Sequence, residues 1–251
     1  MLLNKWMTAL GLGVSLLAST ALAAENKIIT IASLEWPPYT GAKLPEQGAS
    51  VAVVKAAFKA MGYELRVNFY PWSRAVELGK NDPGFAGYFP EYFSDQLAKD
   101  FELSEPIGTG PLGLAQRKGE GYNWSKVADL ASKKVGVVQD YVNTDEFDDR
   151  VAKKQQPVDV ALDDTKNLLK LGGKRVDLAI VDKNVFNYLM KTDPQLASFQ
   201  SALEMNPKIL EDKKLYICFK KGAKGKEWAK ILAEGLKKID VNAIMQKQLG
   251  N

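Results

Sequence analysis

The amino-acid sequence predicts an α/β protein of two lobes, each a mostly parallel sheet with flanking helices, joined by a two-strand hinge. Strands and helices alternate without internal repeats from residue 28 to residue 89, and a second alternating unit begins near residue 134. One further strand follows each unit. Such alternation is typical of layered α/β domains. A chain that leaves one lobe and later returns crosses the junction twice, and hinged lobes place a ligand cleft between them.

The first unit opens with a short β-branched strand and a proline break. Ile28–Ser33 is the strand, and the two prolines of Trp36-Pro37-Pro38-Tyr39 end it. Residues 49–61 then carry apolar side chains at helical spacing and stop before Gly62, as expected at the end of a helix. The other predicted elements of this unit are a strand at 64–70, a helix at 72–79 and a strand at 85–89.

The second unit contains the same kinds of element in a different order. Its predicted elements are a strand at 134–138, helices at 144–151 and 163–171, a strand at 176–181 and a helix at 183–190. The two crossing strands are predicted at 111–118, between the units, and at 213–219, after the second unit. Helices at 226–239 and 241–248 complete the predicted elements.

The first residues have the features of a cleaved signal peptide. Lys5 supplies a short positive region, Leu10–Leu22 is an apolar run, and Ala21-Leu22-Ala23 matches the small-x-small pattern of a cleavage site. The apolar run is shorter than the roughly 20 residues that span a bilayer. We therefore predict a secreted protein with a signal peptide at residues 1–23, cleaved near Ala23.

Composition argues against several classes of function. The net charge is only +4 and basic residues are interleaved with acidic ones, so no nucleic-acid partner is expected. The chain has no histidine, which removes histidine-based triads, metal ligands and proton shuttles. Its one cysteine, Cys218, lies in an apolar strand and is expected to be an inert core thiol. We expect no metal site, no cofactor and no catalytic residue.

Four sets of residues carry a family likeness through their order and spacing. They are Ile29–Ser33 with Trp36-Pro37-Pro38-Tyr39, Asp100–Ile107, Lys134–Gln139 and Arg175–Asp182. The set resembles the extracellular solute-binding proteins of the polar amino-acid transport family, which have the type II periplasmic binding fold. The likeness covers essentially the whole chain after the predicted signal peptide.

The resemblance carries further implications for organisation and partners. It implies a first lobe at residues 25–114 plus 218–251 and a second lobe at residues 115–217. It also implies a location in the periplasm, a monomer, a small-molecule ligand, and the membrane permease of an ABC transporter as partner.

Asp182 is the strongest candidate for a ligand contact. It ends an apolar strand and begins a helix, a position at which side chains of open α/β sheets meet ligands. The resemblance implies that Asp182 receives the amino group of the ligand, because a carboxylate in a partly dry cleft binds ammonium strongly. Asp is equally suited to cap the following helix, and both roles can hold. We therefore expect Asp182→Ala to weaken ligand binding strongly while leaving the thermal midpoint of the unliganded protein nearly unchanged.

The residues that would hold the carboxylate of an amino acid are absent. In the family an Arg lies six residues before the first position of the Phe-Ser-x-Pro stretch and clamps that group, and here the matching residue is Leu97. A leucine makes no bidentate contact with a carboxylate. Asp140-Tyr141 replaces the Gly-Thr pair that supplies the second contact in the family, and an acidic side chain there would repel a carboxylate.

Two interpretations of this loss remain open. Arg74 could supply a substitute cation from the start of the second helix, or it could be a solvated helix residue. Alternatively, the ligand carries no carboxylate and is an amine, a short peptide or another polar solute that stacks on rings. Asp140 together with Asp182 would favour a cationic ligand if both face the cleft, although Asp140 could simply cap a loop.

Aromatic residues cluster where the predicted strands end. Rings in a cleft can sandwich a flat or cationic solute, and each cation–π contact contributes about 0.5–2 kcal/mol. The candidate ligand-binding rings are Trp36, Tyr39, Trp72, Tyr88, Phe89, Tyr92 and, from the second lobe, Tyr141. Glu91 lies in the same segment and could contribute charge to the site, although a surface position is expected for it.

Three classes of function are consistent with the sequence. The leading hypothesis is the solute-binding component of an ABC uptake system, which closes two lobes on a small polar ligand that is amine-bearing or amino-acid-like. The second is a ligand sensor for a membrane receptor. The third is an enzyme on the same fold, such as a dehydratase acting on cyclohexadienyl acids, whose acidic substrate would again need the missing Arg.

Overall fold

The computed structural model describes residues 27–250. The predicted signal peptide lies outside the described residues. Between residues 27 and 250, no helix has the length and apolar character needed to cross a membrane. These residues form a nine-stranded mixed sheet with flanking helices, which confirms the predicted α/β class.

The chain first builds the strands and helices of lobe 1. In chain order they are β1 (Lys27–Ser33), α1 (Ala49–Ala60), β2 (Tyr63–Phe69), α2 (Trp72–Asn81), β3 (Gly87–Tyr92), α3 (Asp95–Asp100) and β4 (Phe101–Leu103). Strands β1 and β2 pair in parallel along their full length, and β1 also pairs in parallel with β3.

A long strand, β5 (Gly108–Arg117), leads into lobe 2, and another leads back. The elements of lobe 2 are β6 (Val135–Val138), α4 (Asp145–Ala152), β7 (Val158–Ala161), α5 (Asp164–Gly172), β8 (Leu178–Asp182) and α6 (Lys183–Thr192). The returning strand is β9 (Leu203–Lys220), and it is followed by α7 (Ala223–Leu236) and α8 (Val241–Leu249). Both final helices pack against α1 of lobe 1. Short 3₁₀ helices lie at Pro45–Gln47, Val127–Ser132 and Pro194–Phe199.

Strands β5 and β9 form the predicted two-strand hinge. The strand order is β2-β1-β3-β9-β5-β8-β6-β7, with β4 also paired to β9. The end of β9 pairs with β3 of lobe 1 from Leu215 to Phe219, whereas β5 pairs with β8 of lobe 2 from Leu112 to Ala115. The two long strands also pair with each other along the whole of β5, from Gly108 with Leu215 to Arg117 with Leu203. The lobe boundaries expected at 114/115 and 217/218 stay predictions.

Side-chain caps orient the helices of lobe 2. The side chains of Thr144, Asp163 and Asp182 accept hydrogen bonds from backbone N–H groups in the first turns of α4, α5 and α6. Such caps satisfy N–H groups that have no partner within a helix. Because α6 directly follows β8, its N-terminus lies at the carboxyl end of that strand, where open α/β sheets meet ligands.

Each lobe has an apolar core, as the sequence patterns predict. Ile31 and Phe58 are fully buried in lobe 1, and Leu168 and Phe147 are fully buried in lobe 2. Cys218 is also fully buried, and burial raises the pKa of its thiol well above the ordinary value. The predicted position of this thiol in the core is therefore confirmed.

Candidate ligand-binding cleft between the lobes

An open cleft of about 680 Å³ lies between the lobes. Its volume is within the range of about 300–1,000 Å³ that is usual for small-molecule sites. The lobe 1 wall consists of Leu34, Glu35, Trp36, Pro37, Phe69, Tyr70, Pro71 and Trp72. The lobe 2 wall consists of Tyr141, Leu162, Asp163, Asp164, Thr165, Val185 and Leu189. Since both lobes supply walls, movement at the hinge would change the width of this cleft.

The space beneath the cleft is nearly filled by side chains. Two small cavities of about 20 Å³ and 10 Å³ lie there, and four residues line both of them: Trp36, Tyr92, Tyr141 and Val142. A single water molecule needs about 10–15 Å³. A ligand of amino-acid size therefore fits the open cleft and not these inner cavities.

Asp182 lines the smaller inner cavity, and both of its carboxylate oxygens already accept hydrogen bonds. Its carboxylate caps α6 by accepting hydrogen bonds from the N–H groups of Asn184 at 2.7 Å and Val185 at 3.1 Å. The Tyr39 hydroxyl lies 3.2 Å from both carboxylate oxygens, and the Tyr92 hydroxyl donates at 3.4 Å. Asp182 is 2% exposed. Both roles expected of this residue place it near the cleft, but the structure shows only the cap.

Burial also controls the charge of Asp182. Desolvation raises its pKa to about 7, although the hydrogen bonds from Val185, Asn184, Tyr39 and Tyr92 favour the charged form and oppose the rise. The chain thus keeps a carboxylate in a nearly dry location with neutral donors around it and no cation among its hydrogen-bond partners within residues 27–250.

Asp164 is a functional candidate that the sequence interpretation missed. It is the first residue of α5 and lines both the open cleft and one inner cavity. Its Oδ2 accepts hydrogen bonds from the Trp36 indole N–H at 3.1 Å and from the Tyr141 hydroxyl at 3.3 Å. No hydrogen bond from residues 27–250 reaches Oδ1. Burial raises the pKa of Asp164 to about 7, and the nearby Asp182 carboxylate adds to the rise.

Three helix N-termini border this region, and each has a carboxylate of the chain beside it. Asp182 caps α6, and Asp163 caps α5 by accepting from the Lys166 N–H at 2.7 Å. Asp140 lies across the cleft from α2: the Trp72 indole N–H donates to its backbone carbonyl at 3.0 Å, and the Ser73 hydroxyl donates to its carboxylate. Asp140 therefore joins the lobes.

The predicted aromatic residues separate into two groups. Trp36, Trp72, Tyr92 and Tyr141 line the cleft or the inner cavities, and the Trp36 ring stacks on Tyr39 at 4.6 Å between centroids. Tyr39, Tyr88 and Phe89 are fully buried and line none of these spaces. Tyr88 instead packs edge-on against Trp72, so it supports a cleft ring from behind.

Arg74 faces away from the cleft. Its guanidinium pairs with Glu77 on the same helix, and over half of its side chain is exposed. It lines neither the cleft nor the inner cavities. Of the two alternatives for Arg74, this geometry fits a solvated helix residue. It gives no support to the other, in which Arg74 binds the carboxylate of a ligand. Leu97, at the position of the family's Arg, likewise lines none of these spaces.

Glu91 is buried, so the expected surface position is wrong. It is 5% exposed, lines an inner cavity, and accepts hydrogen bonds from the Tyr88 hydroxyl at 3.4 Å and the Tyr92 N–H at 2.8 Å. Burial raises its pKa to about 8, and the charge of Lys213 opposes the rise. Lys213 is 4% exposed, lies over the Tyr92 ring and pairs with Glu211 at 3.4 Å. The sequence did hold one indication that Glu91 is buried: it stands among aromatic residues in the segment Tyr88–Tyr92.

Gly110 of the hinge strand β5 packs closely against the side chains of Asp182 and Tyr39. A Cβ atom at this position would collide with Asp182 Oδ2 and lie 2.6 Å from the Tyr39 hydroxyl oxygen. We expect Gly110→Ala to lower the free energy of unfolding by about 1–3 kcal/mol in urea titrations, because it overpacks a buried polar contact. Gly113→Ala is the control, since its Cβ would mainly meet the flexible end of Met205. Equal losses in both variants would contradict close packing at Gly110.

Comparisons with known proteins identify the fold. A histidine kinase sensor domain with similarity to periplasmic binding proteins matches with a TM-score of 0.75 and 18% identity, over 90% of this chain and 97% of that one. The GluR0 ligand-binding core from Nostoc punctiforme, in complex with L-glutamate, matches with a TM-score of 0.68 and 16% identity over 88% and 96%. The amino acid ABC transporter substrate-binding protein AbpA from Streptococcus pneumoniae, bound to L-arginine, matches at 0.67 and 17% over 89% and 94%.

The fold is that of the two-lobed periplasmic binding protein-like domains. These three neighbours are binding proteins and a sensor domain, and each covers almost the full length of the described chain. No family model and no curated protein matches the chain. The particular ligand and partner must therefore be argued from the cleft.

Proposed function

We propose that this protein is the periplasmic solute-binding component of an ABC uptake system. It binds one small, polar, amine-bearing or amino-acid-like ligand between its lobes, closes at the hinge, and delivers the ligand as a monomer to a membrane permease. It catalyses no reaction and uses no cofactor. The signal peptide predicted for residues 1–23 supports a periplasmic location.

One observation carries this proposal: both lobes line the same cleft and already touch across it. Trp36 of lobe 1 donates to Asp164 of lobe 2, and Trp72 of lobe 1 donates to Asp140 of lobe 2. Bound solute adds further contacts between the same walls, and a ligand that favours one hinge conformation shifts the population toward it. The strands β5 and β9 provide the only covalent path between lobes in residues 27–250, as a hinge requires.

A sensor is the second candidate, and one finding favours it. The histidine kinase sensor domain has the highest TM-score of the three neighbours described above. A sensor would close on its ligand in the same way but would pass the signal to a membrane receptor. Uptake of labelled ligand by cells that lack this protein distinguishes the two roles. Loss of a transport component abolishes uptake, whereas the primary effect of losing a sensor is a change in gene expression.

The proposal predicts a solute that both stabilises and compacts the protein. We expect a thermal-shift screen of amino acids, amines and short peptides to yield a solute that stabilises the fold by about 2.7 kcal/mol at a hundredfold excess over Kd. Small-angle scattering with that solute should show a smaller radius of gyration than without it. Stabilisation without any change in scattering would contradict closure of the lobes around the ligand.

A further inference from the structure

The charge of the cleft walls restricts the ligand more than the fold does. Within residues 27–250, the cleft is lined by three carboxylates, Glu35, Asp163 and Asp164, and by no lysine or arginine. Five aromatic residues line the same cleft: Trp36, Phe69, Tyr70 and Trp72 from lobe 1, and Tyr141 from lobe 2. Carboxylates and aromatic faces both attract cations.

The groups that usually bind a ligand carboxylate, basic side chains and helix N-termini, all have other partners in this structure. Arg74 pairs with Glu77 outside the cleft, and Lys213 lies over the Tyr92 ring beside Glu211 without lining the cleft. Helix N-termini could also hold an anion, but Asp182, Asp163 and Asp140 already lie at those of α6, α5 and α2. A carboxylate entering here would meet like charges at each of these places.

Asp164 differs from Asp182 because one of its carboxylate oxygens, Oδ1, accepts no hydrogen bond from residues 27–250. All hydrogen bonds to Asp164 arrive at Oδ2, from Trp36 and Tyr141, whereas both oxygens of Asp182 have donors. Asp164 lines the open cleft and Asp182 does not. Trp36 and Tyr141 come from opposite lobes, so the two donors that hold Asp164 are brought together only when the lobes approach.

We propose that the cleft takes a small organic cation without a carboxylate, such as a primary amine or a guanidinium compound, and that Asp164 is its anionic partner. The inference rests on the proposed function, because it names the ligand class of the same cleft. Trp36 and Tyr141 position the Asp164 carboxylate through Oδ2, leaving Oδ1 for the cation. Asp182 holds the start of α6 and does not contact the ligand.

Matched pairs of solutes that differ only by a carboxylate test the ligand class. The pairs are agmatine with L-arginine, cadaverine with L-lysine, and tyramine with L-tyrosine, each titrated calorimetrically into the protein near neutral pH. We expect the amine to bind more tightly than its amino acid in every pair that binds, and at least one amine to bind. An amino acid that binds as tightly as its amine overturns the inference and leaves the proposed function standing. Failure of every solute in the wider screen overturns both.

Asp164→Asn tests the anchor. The substitution keeps an acceptor for Trp36 and Tyr141 but removes the charge, and we expect the amine affinity to fall by about thirtyfold or more, as for loss of one partner in a buried charge pair. Asp240→Asn is the matched control: Asp240 caps α8 in lobe 1, far along the chain from the cleft residues, and the change should leave affinity within about twofold. Thermal midpoints confirm that both variants fold. Unchanged affinity in Asp164→Asn overturns the assignment of the anchor.

Discussion

Replacement of Asp182 by alanine is expected to destabilise the unliganded protein strongly. Alanine removes the cap of α6, which typically costs about 1 kcal/mol. It also leaves the Tyr92 hydroxyl without an acceptor and leaves the Tyr39 hydroxyl only the Thr109 carbonyl, at 3.5 Å. Each unsatisfied buried group costs about 1–3 kcal/mol. We therefore expect Asp182→Ala to lower the free energy of unfolding by about 3 kcal/mol or more, measured by urea titration and by the thermal midpoint.

Asparagine at the same position separates hydrogen bonding from charge. Asp182→Asn keeps an oxygen that can cap α6 and an amide that can donate to a tyrosine hydroxyl, and it removes a carboxylate whose burial is costly. Its loss of stability should stay below about 1 kcal/mol. If Asn destabilised the protein as much as Ala does, the charge of Asp182 would be essential to the fold, contrary to the neutral donors that surround it.

This expectation revises the one based on sequence alone. A ligand contact at the surface of a cleft could be removed with little change in the thermal midpoint. The structure instead places Asp182 at 2% exposure with four donors. A loss of ligand affinity in Asp182→Ala would therefore report damage to α6 and the hinge as well as any loss of charge.

The unliganded protein is expected to become less stable as the pH rises from about 5 to about 8. Burial raises the pKa values of Asp164 and Asp182 to about 7 from an ordinary value of 3.8, and that of Glu91 to about 8 from 4.5. Across this window the folded state holds protons that the unfolded state has already lost, so stability falls as the pH rises and levels off above the folded pKa values. Each unit of pKa difference corresponds to about 1.4 kcal/mol.

Calorimetric thermal midpoints across this pH range measure the effect. Surface carboxylates such as Asp129, Asp159 and Glu234 have lowered pKa values, so they titrate below this window and do not mask it. Asp164→Asn should make the pH dependence shallower, because one of the carboxyl groups with a raised pKa is gone. A midpoint that stays level or rises between about pH 5 and 8 would contradict the buried, uncompensated carboxyl groups.

Much of the fold could be predicted because its elements are locally encoded. The apolar spacing of residues 49–61 predicted α1, observed at Ala49–Ala60, and the caps at Thr144 and Asp163 lie where the helices of lobe 2 were expected to start. The first half of β9 was missed: the prediction began at residue 213, whereas the strand begins at Leu203. Its charged residues do not alternate with apolar ones, and pairing with β5 keeps them extended.

The candidate site was only partly predictable. Its chemical character, acidic and aromatic with the family's Arg replaced by Leu97, was visible in the order of residues. Asp164 was not identified because two adjacent aspartates at a helix start look like caps, and only contact with Trp36 and Tyr141 distinguishes the second from the first. Glu91 and Lys213 were missed for the same reason, since burial of a charged residue depends on neighbours distant in the chain.

The sequence by itself determined the two-lobed α/β architecture and the excess of carboxylates and rings near the strand ends, because secondary-structure periodicity and residue chemistry are properties of local sequence. Only the tertiary structure decided which of those groups face open space. In the folded chain the Asp182 carboxylate caps α6 and contacts two tyrosine hydroxyls, and Arg74 pairs with Glu77 outside the cleft. Asp164 lines the cleft, and both of its hydrogen-bond donors reach Oδ2. These choices depend on contacts between residues far apart in the chain, which no local pattern specifies.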